Sequence, residues 1–120
     1  MSAVAYLLDY HMNPAITEAL WAMEPSIAIE IVGRGEAPTP ETIDPVLLEY
    51  AERHSLALVT FDKKTMPFHI NSRLLSGLHT KGVFIFPNSR LSHGRIADEL
   101  LLVWATSTAE EWTDQTTYLP

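Results

Sequence analysis

The 120-residue chain has no cysteine, no apolar stretch of membrane-spanning length and no basic residue outside positions 34–95. The first absence excludes disulfides and thiolate-bound metals, leaving oxygen and imidazole as side-chain ligands. A membrane span takes about 20 consecutive apolar residues, and no run here approaches that. Nor does the N-terminus open on a basic segment followed by a long apolar core, the pattern of an export signal. A cytoplasmic protein with no membrane partner is expected. The third absence concerns charge. All eight Lys and Arg fall between Arg34 and Arg95, and against 15 acidic residues they leave a formal net charge of −7. Such a surface repels polyphosphates as a whole, so a nucleic-acid contact would have to come from a local basic rim. Internal repeats, linkers and low-complexity segments are also missing.

What remains is globular: 47% hydrophobic and 19% charged residues, enough for a single domain over residues 1–120 with a real core. Ala3 to Leu8 forms an apolar strand ending at Asp9. After the loop Tyr10-His11-Met12, Asn13 and Pro14 open a helix with Ile16, Leu20 and Met23 on one face, and Pro25 stops it. Ser26 to Val32 alternates Ile27, Ile29 and Ile31 as a second strand. Gly33 to Pro40, with two Gly and two Pro, is a loop. Asp44-Pro45 reads as an N-cap followed by Pro, with Leu47, Leu48, Ala51 and His54 at helical spacing. Leu56 to Phe61 is a buried strand ending at Asp62, with Lys63 and Lys64 behind it. Met66 to Leu78 holds a third helix, Val83 to Phe86 a fourth strand, and Ser92 caps a last helix striped by Ile96, Leu100, Val103 and Trp104. Trp112 to Tyr118 is a candidate fifth strand at an edge. This alternation predicts an α/β fold, a three-layer α/β/α sandwich with a mostly parallel four- or five-stranded sheet.

In a parallel sheet the strand C-termini share one edge, and helix N-termini face that same edge. Asp9 and Asp62 therefore converge if their strands are neighbours, and Asp44 is allowed to join them. Converging carboxylates raise one another's pKa unless a cation sits among them. With oxygen ligands only, that cation would be Mg²⁺ or Mn²⁺, and a metal-bound water can attack a phosphodiester. Simpler roles exist for each residue. Asp44 suits a helix cap, Asp9 and Asp62 suit strand-to-helix turns, and Lys63 and Lys64 suit a solvated surface. His11 has no identified partner, and Trp21, Trp104 and Trp112 suit packing.

These residues resemble the PIN-like proteins of the domain-of-unknown-function 5615 group, relatives of PIN-domain toxin ribonucleases. The resemblance spans most of the chain. It rests on Leu7-Leu8-Asp9 before Asn13-Pro14, on Asp44 opening a helix that contains Glu49-Tyr50-Ala51, and on Leu58-Val59-Thr60-Phe61-Asp62, with Gly82-Val83-Phe84-Ile85 as the following strand. It implies a PIN-like fold, metal ligation by Asp9, Asp44 and Asp62, and RNA cleavage by a toxin-type endonuclease. An antitoxin partner and a homodimer are implied as well; the apolar last helix offers a surface for the latter, although a core helix would show the same stripe. Lys63, Lys64, Arg34 and Arg73 are then candidates for RNA phosphate contacts. The chain departs from the family pattern at Tyr10, where an acid is usual, and at Lys63 and Lys64, near which a second acid is often found. Both changes lower the expected metal affinity and keep open a second reading, a PIN-like binding module without catalysis. A receiver-type phospho-acceptor domain is a third reading, though paired acids after the first strand and a Lys after the fifth are both missing.

Overall fold

A computed structural model describes the whole chain, Met1–Pro120. Five strands, β1 (Tyr6–Leu8), β2 (Ile29–Ile31), β3 (Ala57–Thr60), β4 (Val83–Ile85) and β5 (Thr116–Tyr118), form one sheet in the order β2-β1-β3-β4-β5. Every pairing is parallel. Four helices, α1 (Ala15–Met23), α2 (Asp44–Arg53), α3 (Met66–Leu75) and α4 (His93–Thr106), connect the strands, and a 3₁₀ turn at Ala109–Trp112 precedes β5. The expected three-layer α/β/α architecture is present, with β5 at an edge.

Side-chain alternation along the strands divides the core in two. Tyr6, Leu8, Ala57, Val59 and Phe84 face α1 and α4, where Ile16, Leu20, Ile96, Ala97 and Leu100 cover them. Leu7, Leu58, Val83 and Ile85 face α2 and α3, against Leu47, Leu48, Ala51, Met66 and Ile70. Burial on both faces is why the central strands read as unbroken apolar runs instead of alternating ones. Tyr6 is the one large polar residue of the first layer. Its hydroxyl donates to the Leu100 carbonyl at 2.7 Å, tying β1 to the middle of α4, and burial drives its pKa far above the usual tyrosine range.

The pairing of helices by face has a topological consequence. With α1 and α4 on one face and α2 and α3 on the other, the first three crossovers share one hand and β4–α4–β5 takes the opposite one. Crossovers in parallel sheets are overwhelmingly of one hand. Here the apolar stripe of α4 is needed on the face of Tyr6, Phe84 and Phe86, which α1 alone leaves uncovered.

Several local expectations are corrected. Pro14, not Asn13, holds the N-cap position of α1, although the Asn13 Oδ1 accepts from the Ala15 N–H at 2.8 Å. Ile43 holds the N-cap position of α2, so Asp44 is its first helical residue and Pro45 follows inside the first turn. Met23 is 43% exposed, because α1 ends before its stripe returns to the sheet. His54 lies outside the core as well, stacked on Tyr50 with ring centroids 4.1 Å apart.

The chain enters β4 through a constrained turn. Gly82 has φ +107°, and a Cβ there would lie 2.9 Å from the Trp112 Cβ and 3.0 Å from the Trp112 carbonyl oxygen. Trp112 in turn sets its ring edge-to-face on Phe84, 5.0 Å between centroids. Gly82→Ala combines a disfavoured backbone with a clash against main chain, and should destabilise the domain by about 2 kcal/mol or more. Urea denaturation of both proteins checks this; equal midpoints would contradict it.

Candidate active site

The sheet register builds the site. Leu8 pairs with Val59, so the chain leaves β1 and β3 side by side, and the Asp9 N–H still donates to the Val59 carbonyl at 2.9 Å. Asp9 follows Leu8 and therefore points to the α2/α3 side, as Thr60 does. Thr60 is fully buried. Its hydroxyl donates to Asp9 Oδ2 at 2.8 Å and accepts from the Asp62 N–H at 3.1 Å. One side chain thus links the two acids. Sequence reading missed it, and the available signal was a hydroxyl at the end of an otherwise apolar strand, where burial demands a partner.

Asp62 holds the turn into α3. Its Oδ1 accepts from the Lys64 N–H at 3.0 Å and the Thr65 N–H at 2.8 Å, and its Oδ2 accepts from the Thr65 hydroxyl. Burial raises its pKa, but the Thr65 hydroxyl and the N–H groups of Thr65, Lys64 and Met66 outweigh that and hold the carboxyl below its ordinary value. Asp9 is engaged on its other oxygen too, since Oδ1 accepts from the Tyr10 N–H at 2.7 Å.

Asp44 differs from both. It begins α2 without filling the cap position, on the face toward which Asp9 and Thr60 point. Its nearest basic side chain is His69, with Nε2 3.8 Å from Oδ2, too long for a hydrogen bond. His69 is the second residue that sequence reading missed; its position one turn inside α3 became meaningful only once α3 packed on α2. Burial raises the Asp44 pKa, His69 lowers it, and the charges of Asp62 and Asp9 raise it further, with a net upward shift. The three predicted acids therefore share one electrostatic environment.

Their donor chemistry, hard carboxylate oxygen without thiolate, suits Mg²⁺ or Mn²⁺. As the side chains stand, no three His, Asp or Glu residues converge closely enough to hold one ion. The turn occupies Asp62 on both oxygens, which leaves Asp44 and the remaining lone pairs of Asp9 as the ligands most accessible to a cation.

The predicted basic residues separate. Lys63 and Lys64 are exposed beside Asp62, and Arg34 is exposed in the turn after β2 at the same sheet edge; none of the three makes an ion pair. Arg73 is not brought there. It lies in the last turn of α3 with only 10% of its side chain exposed, its Nε donating to the His79 carbonyl at 2.7 Å and its Nη2 pairing with Glu52 Oε1 at 3.2 Å. That makes it a pin between α2, α3 and the approach to β4. Of the tryptophans, Trp112 and Trp104 pack against the core, while Trp21 donates its Nε1–H to the Ile27 carbonyl at 2.8 Å.

The opposite pKa shifts of Asp62 and Asp44 have opposite effects on stability. Folding lowers the Asp62 pKa, so its contribution is complete above the ordinary carboxylate value of about 4 and is lost as pH falls through the lower folded value. Folding raises the Asp44 pKa, so its charge opposes folding at neutral pH and that opposition fades in acid. In chelator at pH 7, Asp62→Asn should be less stable than wild type and Asp44→Asn more stable; the Asp44 difference should fade as pH falls toward about 4, and the Asp62 difference only below it. Urea midpoints across pH measure this, and a destabilised Asp44→Asn would contradict it. No family model, curated protein or solved structure matches this chain.

Proposed function

We propose that this protein is a Mg²⁺- or Mn²⁺-dependent ribonuclease, hydrolysing RNA phosphodiesters at the edge formed by Asp9, Asp44 and Asp62. The observation that carries this reading is Asp44, a partly buried carboxylate that caps nothing, has no close cation and is pushed upward in pKa by burial and by Asp62 and Asp9. Its place in the first turn of α2 favours the charge through the helix dipole, but burial and the two neighbouring acids outweigh that, and a bound divalent ion would offset the cost. The bound ion would supply an activated water and charge neutralisation on the phosphate. Asp44 and the remaining lone pairs of Asp9 would hold it, with Asp62 beside them engaged in its turn, and Thr60 would fix Asp9 in orientation through its 2.8 Å hydrogen bond. Exposed Lys63, Lys64 and Arg34 would receive phosphates along the rim. Membership in a toxin–antitoxin pair, with an antitoxin partner and a homodimer, rests on the family resemblance.

A second reading has its own observation. Both oxygens of Asp62 are occupied by the turn into α3, and two lysines follow it, which favours a PIN-like binding module that has retained the fold without catalysis. Calorimetric titration with Mn²⁺ and cleavage of a mixed RNA pool decide between them. The ribonuclease reading predicts metal binding by wild type, loss of binding in Asp44→Asn, and a fall in cleavage of at least about 100-fold. Thr60→Val, which removes only an orienting hydroxyl, should cost about 10- to 100-fold. Absence of metal binding, with cleavage equal in wild type and Asp44→Asn, would leave the binding module.

A further inference from the structure

Tyr10, the residue after Asp9, lines a cleft of about 380 Å³ together with Met12, Pro14, Ile31, Val32, Gly33 and Arg34. The volume falls in the lower part of the range of small-molecule sites, about 300–1,000 Å³. The cleft opens at the C-terminal edge of β1 and β2, on the same sheet edge as the three acids.

Tyr10 dominates it. The residue is 54% exposed, with its ring available to solvent at the edge of the cleft. Its backbone is held on one side and its ring has two neighbours. Its N–H donates to Asp9 Oδ1 at 2.7 Å. Its ring lies over Gly33, which has φ +93° and where a Cβ would come within 3.2 Å of Tyr10 Cδ1 and 3.1 Å of Pro40 Cγ. His11 meets the ring edge-to-face at 5.7 Å between centroids. Glycine at position 33 therefore does two things: it permits the left-handed turn after β2, and it leaves a flat surface against which the ring rests. At the mouth stands Arg34, exposed and without an ion-pair partner.

An exposed aromatic resting against a turn and an unpaired guanidinium beside it match the parts list of a single-stranded nucleotide subsite: a ring on which a base stacks and a cation for the neighbouring phosphate. We infer that the cleft binds one unpaired nucleobase of an RNA strand, stacked on Tyr10, with Arg34 on the adjoining phosphate. The base would then lie one step along the strand from the phosphodiester presented to Asp9, and Tyr10 would set the register of the strand across that edge. The departure from the family pattern at Tyr10 becomes a gain of base contact. This inference rests on the ribonuclease reading for its substrate class but not for its test.

Binding is measured in EDTA at low ionic strength, by fluorescence anisotropy of a labelled single-stranded RNA pentamer and of the same pentamer with abasic residues. Wild type should bind the base-bearing probe about 5- to 100-fold more tightly than the abasic one. Tyr10→Phe should keep that difference, Tyr10→Ala should remove it, and Arg34→Ala should weaken both probes equally. Equal affinity of wild type for the two probes, absence of binding to either, or a difference that survives Tyr10→Ala would each overturn the inference. The comparison of probes on wild type needs no variant and is unaffected by any loss of folding. Cleavage with Mn²⁺ is scored separately. Base-dependent binding without cleavage sinks the nuclease and keeps the subsite, whereas cleavage with equal probe affinities does the reverse.

Discussion

The Thr60 hydroxyl, shared between Asp9 and the backbone of Asp62, is the interaction on which the rest of this edge depends. It exists because β1 and β3 pair in one register, Leu8 with Val59, and a slip of one residue would turn Asp9 to the other face of the sheet. Both ends of the arrangement are also anchored locally, Asp9 through the Tyr10 N–H and Asp62 through the first turn of α3. The two acids are thus integral to strand pairing and helix entry. Asp44 makes no hydrogen bond of that kind and is the acid least tied into the fold.

That asymmetry frames the energetics. Asp62 gains from its hydrogen bonds more than burial costs it, while Asp44 is left with burial, two like charges and one distant imidazole. Functional groups are commonly held against a local cost that the rest of the structure offsets. Here the offset comes from the two-sided core, with Tyr6 bonded to Leu100 on one face and Arg73 bonded to Glu52 on the other. The reversed crossover into β5 serves the same end, since it places α4 where the sheet would otherwise be open.

Much of this was legible in the residues. Apolar runs ending at Asp9 and Asp62, proline at helix starts and the alternation of element types were sufficient for the layer order, because each is a local property. The failures share a cause: they concern side chains whose meaning depends on a neighbour distant in sequence. Arg73 looked like a surface cation until Glu52 and the His79 carbonyl enclosed it. Asp44 looked like a cap until Ile43 took that position. Thr60 and His69 carried no motif and acquired roles only when β1 met β3 and α2 met α3. Tyr10, read first as a missing acid, became a surface feature only when the Gly33 turn came beneath its ring.

The proposed ribonuclease needs a hard divalent cation at the edge of Asp9, Asp44 and Asp62. Paramagnetic broadening of backbone amide signals on titration with Mn²⁺ locates such an ion directly, without requiring activity or a known substrate. The amides of Asp9, Tyr10, Asp44 and Asp62 should broaden first while those around Arg73 and His79 at the far end of α3 remain sharp. Broadening centred elsewhere, for instance on Glu110 and Glu111, or no broadening at all, would contradict it.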